Sequence, residues 1–135
     1  MSLKTVAEAW VQRWSQPDSA AFAKLFDDAI IYEDTAFGVR RTSPAGVQEH
    51  HQIWLASIPD FSVELEQMHE VGNTVIVQGV GRGTFNGVDL PGGKMKATGK
   101  PFEGRLAAVI VCGENGIVEC TEYYDRLFMP GLPAE

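Results

Sequence analysis

The stretch that most constrains the fold is residues 102–127, where two β-rich runs flank a tight turn. The first run, Arg105–Cys112, is almost continuously apolar, and the second, Ile117–Tyr124, alternates between apolar and polar residues. An Asn-Gly turn between two such runs is a strong short-range signal for a β-hairpin. A long apolar hairpin must bury its surface against another layer. We therefore expect the rest of the chain to supply a covering layer.

The second run of this hairpin also carries a carboxylate among apolar residues. Side chains alternate between the two faces of a strand, so Glu122 shares a face with Val118, Cys120 and Tyr124. The opposite face is mostly polar.

Length and composition indicate one domain, residues 1–135. The net charge of −7 argues against nucleic acid or an anionic membrane as a partner. No apolar run approaches the ~20 residues of a spanning helix, and we expect a cytoplasmic protein. Cys112 and Cys120 fall on apolar strand positions, which favours buried free thiols. No Cys and His spacing typical of a metal site is present.

Three helices are predicted from apolar residues at helical spacing. The first is Leu3–Trp14, and the second is Ser19–Phe26, capped by Asp18. The third is Pro44–Ser57, capped by Ser43 or Thr42, with proline in its first turn.

A short strand, Ile30–Asp34, is predicted between the second and third helices. If Ile30 faces the core, then Tyr32 and Asp34 face it too. A core-facing carboxylate requires a partner or a function. The alternative is that Asp34 lies at a solvated strand end or caps nearby backbone amides.

The third helix carries two adjacent histidines beside its apolar face. His50 and His51 neighbour Val47 and Trp54 at helical spacing, so one of them must lie near that face. The pattern does not decide which one, nor whether it is a functional group or a core residue.

Two long strands and two loops complete the chain. The strands are Phe61–Val71 and Thr74–Phe85, joined at Gly72-Asn73, and regularly spaced glycines in the second one indicate a bend or a close backbone approach. Gly38–Thr42 reads as a basic loop. Asn86–Pro101 is long enough to be either a functional flap or an inert surface loop, and the tail from Phe128 is expected to be irregular.

The predicted order is ααβαββββ, which defines an α+β class. We expect a curved mixed β-sheet that forms a cone, with helices covering one face and one apolar pocket between the two layers.

This order and several stretches of the sequence resemble the nuclear transport factor 2-like superfamily, and within it the SnoaL-like polyketide cyclases. The resemblance covers essentially the whole chain. Four stretches carry it: 32–38 (YEDTAFG), 81–87 (GRGTFNG), 91–100 (PGGKMKATGK) and, most specifically, 116–125 (GIVECTEYYD). It implies the cone fold, whereas one scaffold in this superfamily supports many activities.

The ketosteroid isomerases of this superfamily offer one set of site residues. Their proton-shuttling Asp matches Asp34. Their two oxyanion-hole donors correspond to Trp14 and Ala108, so neither donor is retained in kind. Tyr32, the Trp14 indole or a histidine of the third helix would have to substitute for them.

Two other relatives match in part. The His and Asp of SnoaL-like cyclases correspond to Phe85 and to Ala108 or Val109. The final-strand Asp of limonene epoxide hydrolases resembles Glu122. Their third-strand Arg–Asp pair falls on residues 81–84, where Arg82 is present without an acid.

Two function hypotheses follow. In the first, the protein is an acid–base enzyme for a small apolar carbonyl compound or polyketide-like ring, which isomerises, cyclises or dehydrates it without a cofactor. Asp34 is the base, Glu122 is the second carboxyl group, and Tyr32 and His50 or His51 polarise a carbonyl. The expected substrate contacts are Trp14, Trp54, Phe85, Ala108, Cys120 and Tyr124.

In the second hypothesis, the pocket of a non-catalytic protein binds a small apolar ligand, or Glu122 supports epoxide-hydrolase-like chemistry. A strongly raised pKa on Asp34 or Glu122 would favour the enzyme, and pairing of both with arginine would favour binding. Ala107, Val109 and Val111 form an apolar strand face. We expect this face to pack against a second copy in a homodimer.

Overall fold

The computed structural model describes residues 2–91 and 95–131, which contain three helices and six strands. Their order is ααββαββββ, and the α+β class is confirmed. The helices are α1 (Leu3–Trp14), α2 (Ser19–Ala23) and α3 (Pro44–Ser57). The strands are β1 (Phe26–Asp34), β2 (Val39–Arg41), β3 (Ser62–Val71), β4 (Thr74–Thr84), β5 (Pro101–Gly113) and β6 (Gly116–Tyr124).

The six strands form one curved mixed sheet in the order β2-β1-β6-β5-β4-β3. β1 and β6 run parallel, and all other neighbours are antiparallel. Register irregularities interrupt the β1–β6, β3–β4 and β5–β6 pairs. Such bulges bend strands and increase local twist. The helices cover one face: α1 packs on β3 and β4, α3 packs on β1, and α2 packs on α3.

Capping side chains begin the helices where the sequence predicts. Ser2 Oγ accepts a hydrogen bond from the Thr5 N–H at α1, and Asp18 accepts one from Ala21 at α2. Ser43, not Thr42, caps α3. These caps satisfy N–H groups that have no partner inside the helix.

Two predicted boundaries between residues 19 and 34 are wrong. The second helix ends at Ala23 instead of Phe26, and β1 begins at Phe26 instead of Ile30. The reason is pairing with β6: the Ile117 N–H donates to the Leu25 carbonyl at 2.9 Å, and Phe26 lies opposite Ile117. Extended pairing at this point overrides the helical spacing of Phe22, Leu25 and Phe26.

The segment read as a basic loop, Gly38–Thr42, contains strand β2, so the predicted order lacked one strand. Val39 pairs with Asp34 and Arg41 with Tyr32 in an antiparallel edge pair. Gly38 adopts a φ of 66°, which reverses the chain before the strand. A three-residue charged edge strand carries almost no periodic signal, which explains the error.

The glycines of β4 provide close approaches, as predicted. A Cβ atom at Gly81 would collide with Met129, and one at Gly83 would collide with Ile58. Met129 belongs to the irregular C-terminal segment and is buried against the sheet. Residues 132–135 of that predicted tail lie outside the described residues.

The long loop after β4 is tied to the rest of the fold in its described parts. Gly87 and Val88 donate to the carbonyls of Ser57 and Ala56 at the end of α3. Leu90 pairs with Met95, and both side chains are buried. Residues 92–94 of the predicted flap lie outside the described residues, and its mobility stays a prediction.

The outer face of the sheet carries the half-buried side chains of Ala107, Val109 and Val111. In the described part of the chain, no helix combines the length and the apolar character that a membrane span requires.

Candidate active site

Two buried carboxyl groups meet where the parallel strands β1 and β6 end. Asp34 and Glu122 are directly paired in the register, and they are only 2% and 7% exposed. Side chains at paired positions of neighbouring strands point to the same face, here toward the helices. Tyr32 and Ile30 share this face and are buried, so the core-facing interpretation of Asp34 is confirmed. The alternative that Asp34 caps a nearby backbone amide is also observed, at the Phe37 N–H, whereas a solvated Asp34 is not.

Asp34 is held by two hydrogen-bond donors. The Phe37 N–H donates to Oδ1 at 3.1 Å, and the Tyr124 hydroxyl donates to Oδ2 at 2.6 Å. Donors to both oxygens fix the orientation of this carboxyl group. Burial, followed by the charge of Asp34, raises the pKa of Tyr124 well above its ordinary value, so the phenol keeps its proton.

The environment of Glu122 favours the protonated form of its carboxyl group. Burial, followed by the negative charge of Asp34, raises the pKa of its carboxyl group well above the usual glutamate value. Tyr32 and Trp14 act in the other direction, but neither group completes a regular hydrogen bond in the described part of the chain. This direction favours the protonated, neutral form of Glu122, and two adjacent carboxyl groups of which only one keeps its proton can act as one proton donor and one proton acceptor.

Several buried donors around these carboxyl groups have no hydrogen-bond partner among the described residues. They are the indole N–H groups of Trp10, Trp14 and Trp54 and the hydroxyl of Tyr32. An unsatisfied buried donor costs about 1–3 kcal/mol. Such a concentration of unpaired donors favours a site that receives water or the oxygen atoms of a ligand.

The expected pocket consists of two cavities that share Asp34, His50 and Trp54. The inner cavity lies between the sheet and α1. Its lining also includes Trp10, Trp14, Phe61, Val63, Leu106, Glu122, Tyr124 and Met129. The outer cavity lies toward β2 and is also lined by Phe37, Val39, Arg41, Ile53, Leu90 and Pro91.

The two adjacent histidines have different environments. His50 lines both cavities, and its Nε2 lies 3.9 Å from Asp34 Oδ2. His51 is buried between helices, with Nδ1 2.6 Å from Ser19 Oγ and Nε2 2.9 Å from the Arg13 carbonyl. Nε2 must donate to that carbonyl, so Ser19 donates to Nδ1 of a neutral ring. Burial lowers the pKa of His51, which agrees with this neutral form.

The remaining predicted site residues divide into two groups. Trp14, Trp54 and Tyr124 line the inner cavity. Phe85, Ala108 and Cys120 are fully buried in the core and lie outside the lining of both cavities. Cys120 is a free thiol, and burial raises its pKa well above the ordinary value.

Several lining residues were not singled out from the sequence, and three of them are instructive. Trp10 lies one helical turn before Trp14, and this i, i+4 spacing could have identified it. Arg41 lines the outer cavity from β2. Met129 reaches the inner cavity from the irregular C-terminal segment, where no periodic signal exists to place it.

Arg82 lies outside this site. Its guanidinium group pairs on the outer surface with Glu64 at 3.5 Å and Glu103 at 3.4 Å. The Asp–Arg–Asp array of limonene epoxide hydrolases is therefore not assembled around Glu122 by Arg82.

The same cluster also has the composition of a cation site. Asp34, His50 and Glu122 offer ligand atoms that all lie within 4.8 Å of one another. Carboxylate oxygen and imidazole nitrogen are ordinary ligands of divalent transition metals.

The fold and the paired buried carboxyl groups define a class: a cone-shaped α+β protein with an acid–base cluster in its cavity. The family model for the SnoaL-like polyketide cyclases matches residues 4–129. The chain therefore belongs to the SnoaL-like polyketide cyclase family, and the resemblance noted in the sequence is confirmed.

Solved structures support the fold. A protein from Catenulispora acidiphila with a ketosteroid isomerase-like fold, in complex with trimethylamine, has a TM-score of 0.79 at 21% identity, over 92% of this chain and 88% of that one. An NTF2-like protein from Burkholderia thailandensis has a TM-score of 0.74 at 24% identity, over 94% and 91%. A LEH-like epoxide hydrolase of M. tuberculosis has a TM-score of 0.71 at 14% identity, over 93% and 84%. A search of curated proteins finds no match.

Proposed function

We propose that this protein is a cofactor-independent acid–base enzyme that isomerises, cyclises or dehydrates a small, largely apolar carbonyl compound or polyketide-like ring. The observation that carries the proposal is the pair of buried carboxyl groups, Asp34 held by two donors and Glu122 with a raised pKa, at one register position of β1 and β6. Environments that separate the ionisation of two carboxyl groups assign one as base and one as acid.

In the proposed reaction, the Asp34 carboxylate removes a proton from the carbon beside a ketone. The C–H electron pair moves onto the carbonyl oxygen, and neutral Glu122 donates a hydrogen bond to that oxygen. If Asp34 returns the proton to another carbon of the conjugated system, the product is an isomer. If the enolate carbon attacks a second carbonyl, a ring closes, and the resulting alkoxide takes the proton from Glu122. The proton that Asp34 removed then passes to Glu122, which restores the starting state of the pair.

The cavity lining supports an apolar, oxygen-bearing substrate. Aromatic and aliphatic side chains form most of the inner wall, and they favour a flat ring or a short chain. The unpaired indole N–H groups of Trp10, Trp14 and Trp54 would donate to its oxygen atoms. His50 is the imidazole that we assign to substrate positioning, and we exclude His51 because its two ring nitrogens are already bonded to Ser19 and Arg13.

The alternative is a non-catalytic protein that binds a small apolar ligand in the same cavity. Such a protein would bind its ligand without transferring a proton to or from it. Epoxide hydrolysis centred on Glu122 is less favoured, because Arg82 lies on the outer surface.

The experiment that tests the proposal is deuterium incorporation from D₂O into a panel of enolisable ketones, followed by NMR. We expect Asp34→Asn to slow exchange at least about a hundredfold, because a positioned general base contributes roughly that much. Glu122→Gln keeps a hydrogen-bond donor but loses the transferable proton, and it should slow exchange about tenfold.

Glu33→Gln is the matched control. Glu33 neighbours Asp34 on β1 but points to the other face, where it pairs with Arg40, so exchange should be unchanged. Prior treatment with EDTA should also leave the rate unchanged. Loss of exchange after EDTA would indicate instead that Asp34, His50 and Glu122 bind a metal ion. Ligand binding without exchange in any ketone would support the non-catalytic alternative.

We also propose a homodimer in which the outer face around Ala107, Val109 and Val111 packs against a second copy. The half-buried apolar side chains of this face support the proposal. Light scattering at micromolar concentration should give twice the chain mass, and Val109→Glu should convert it to the monomer mass. A monomer in the wild type would overturn the proposal.

A further inference from the structure

The outer cavity differs from the inner one in charge. Arg41 is the one lysine or arginine among the described residues that line either cavity, and it lies in the outer one. The rest of the outer wall is largely apolar, with Asp34 and His50 where the two cavities meet. A ligand that fills both cavities would therefore pass the Asp34 carboxyl group where the cavities meet, and its outer part would lie near the Arg41 guanidinium group.

Arg41 retains hydrogen-bonding capacity in this position. In the described part of the chain its contacts, the Gly46 carbonyl at 3.2 Å and Glu49 at 3.4 Å, both use Nη1. The Glu49 side chain is 64% exposed, so this ion pair is weak and screened by solvent. A guanidinium group has five N–H donors, and the donors on Nη2 and Nε remain for a ligand.

The β1–β2 register places the two residues near each other on one face of the sheet. Asp34 pairs with Val39, and Arg41 lies two residues further along β2, opposite Tyr32. Two residues along a strand correspond to about 7 Å between Cα atoms, and Arg41 lines the outer cavity from this position. An acidic group of the ligand would be repelled if it lay close to the Asp34 carboxylate. The same acidic group would be attracted by Arg41 if it lay several bonds further along the ligand.

We propose that the outer cavity binds a carboxylate of the substrate through Arg41, so that the protein selects keto acids whose acidic group is separated from the reacting carbonyl by a short carbon chain. Arg41 acts as a specificity residue and does not touch the reacting atoms. The inference deepens the proposed function and rests on it in placing the carbonyl at Asp34. A single guanidinium group in a largely apolar wall suits a monoanion such as a carboxylate.

The test is a titration of tryptophan fluorescence with γ-benzoylbutyric acid and with its primary amide. The two probes have nearly the same shape and differ in charge, and Trp54 lines both cavities. The wild type should bind the acid about tenfold more tightly than the amide, the range of one charge-assisted hydrogen bond. Arg41→Gln should reduce this ratio to about one, and Arg41→Lys should retain part of it.

Arg40→Gln is the matched control. Arg40 is the preceding residue of β2, but it pairs with Glu33 and lines neither cavity, so the ratio should be unchanged. Glu49→Gln removes the competing carboxylate and should tighten binding of the acid about twofold. This gain of affinity cannot arise from misfolding.

An unchanged ratio in Arg41→Gln, a wild type without preference for the acid, or no quenching by either probe at millimolar concentration would each overturn the inference. Deuterium exchange beside the ketone of the same acid gives a separate readout. If deuterium exchange depends on Asp34 but the ratio of the affinities for acid and amide does not change in Arg41→Gln, the proposed function stands and the inference fails.

Discussion

The two ends of the β1–β6 pair differ sharply, although they belong to the same two strands. At one end Phe26 lies opposite Ile117, both are buried, and the cavity lining does not reach them. At the other end Asp34 lies opposite Glu122, and both line the inner cavity.

The contrast shows how a pair of mostly apolar strands can hold two polar groups in fixed positions at one end. The closed end anchors the strands, and the pairing of Asp34 with Glu122 at the other end fixes the backbone positions of the two carboxyl groups. The Phe37 N–H, in the turn after β1, and the Tyr124 hydroxyl then orient Asp34. Because the apolar environment continues to the open end, Glu122 is desolvated and its pKa is raised. Pre-organisation of this kind is what a general acid–base pair requires.

The largest effect on stability is expected at the closed end. Ile117→Ala should lower the free energy of unfolding by about 2–5 kcal/mol, because it leaves a cavity in a fully buried site. Urea denaturation measures this change. Val118→Ala, at the half-buried neighbouring position, is the control and should cost less. Equal losses would mean that the closed end does not anchor the strand pair.

At the open end we expect Glu122→Gln to change how stability depends on pH. The raised pKa means that the folded protein holds this proton where the unfolded chain releases it. Wild-type stability should therefore fall as pH rises above the unfolded value of about 4.3, by up to about 1.4 kcal/mol per pH unit, until the folded pKa is passed. The variant should lack this loss. Parallel curves for the two proteins would contradict a buried neutral Glu122.

The smallest effect is expected at His51, between the helices. Its lowered pKa means that the unfolded chain takes up a proton that the folded protein resists. The stability of the wild type relative to His51→Gln should be constant above the unfolded pKa of about 6.5 and should fall as pH decreases below it. Urea titrations across this range give the difference. A rise toward low pH would indicate a protonated His51.

Much of the fold was predictable because local signals were strong. The bounds of α1 and α3 follow from apolar spacing, Ser43 and Pro44, and the hairpin follows from its Asn-Gly turn. Alternation placed Asp34 on the face of Ile30 and Glu122 on the face of Cys120, and the structure shows that these faces are buried.

Other features depend on tertiary contacts that no local pattern contains. Strand β2 is short and charged, and its pairing with β1 makes it a strand. Periodicity cannot separate His50 from His51, because they are neighbours on one helix. The two ring nitrogens of His51 form hydrogen bonds with Ser19 and with the Arg13 carbonyl, which are distant in sequence. His50 is the histidine that lines the cavity. Met129 reaches the site from an irregular segment, so its place could be found only from the structure.

The central claim is that Glu122 is a neutral acid beside the Asp34 carboxylate, and a ¹³C NMR titration of the side-chain carboxyl groups tests it most directly. The resonance that disappears in Glu122→Gln identifies the group. We predict that this resonance titrates well above the ordinary glutamate value of 4.5. Titration in the ordinary range would contradict the account, because Glu122 would then be ionised at neutral pH and could not donate the proton that the proposed reaction requires.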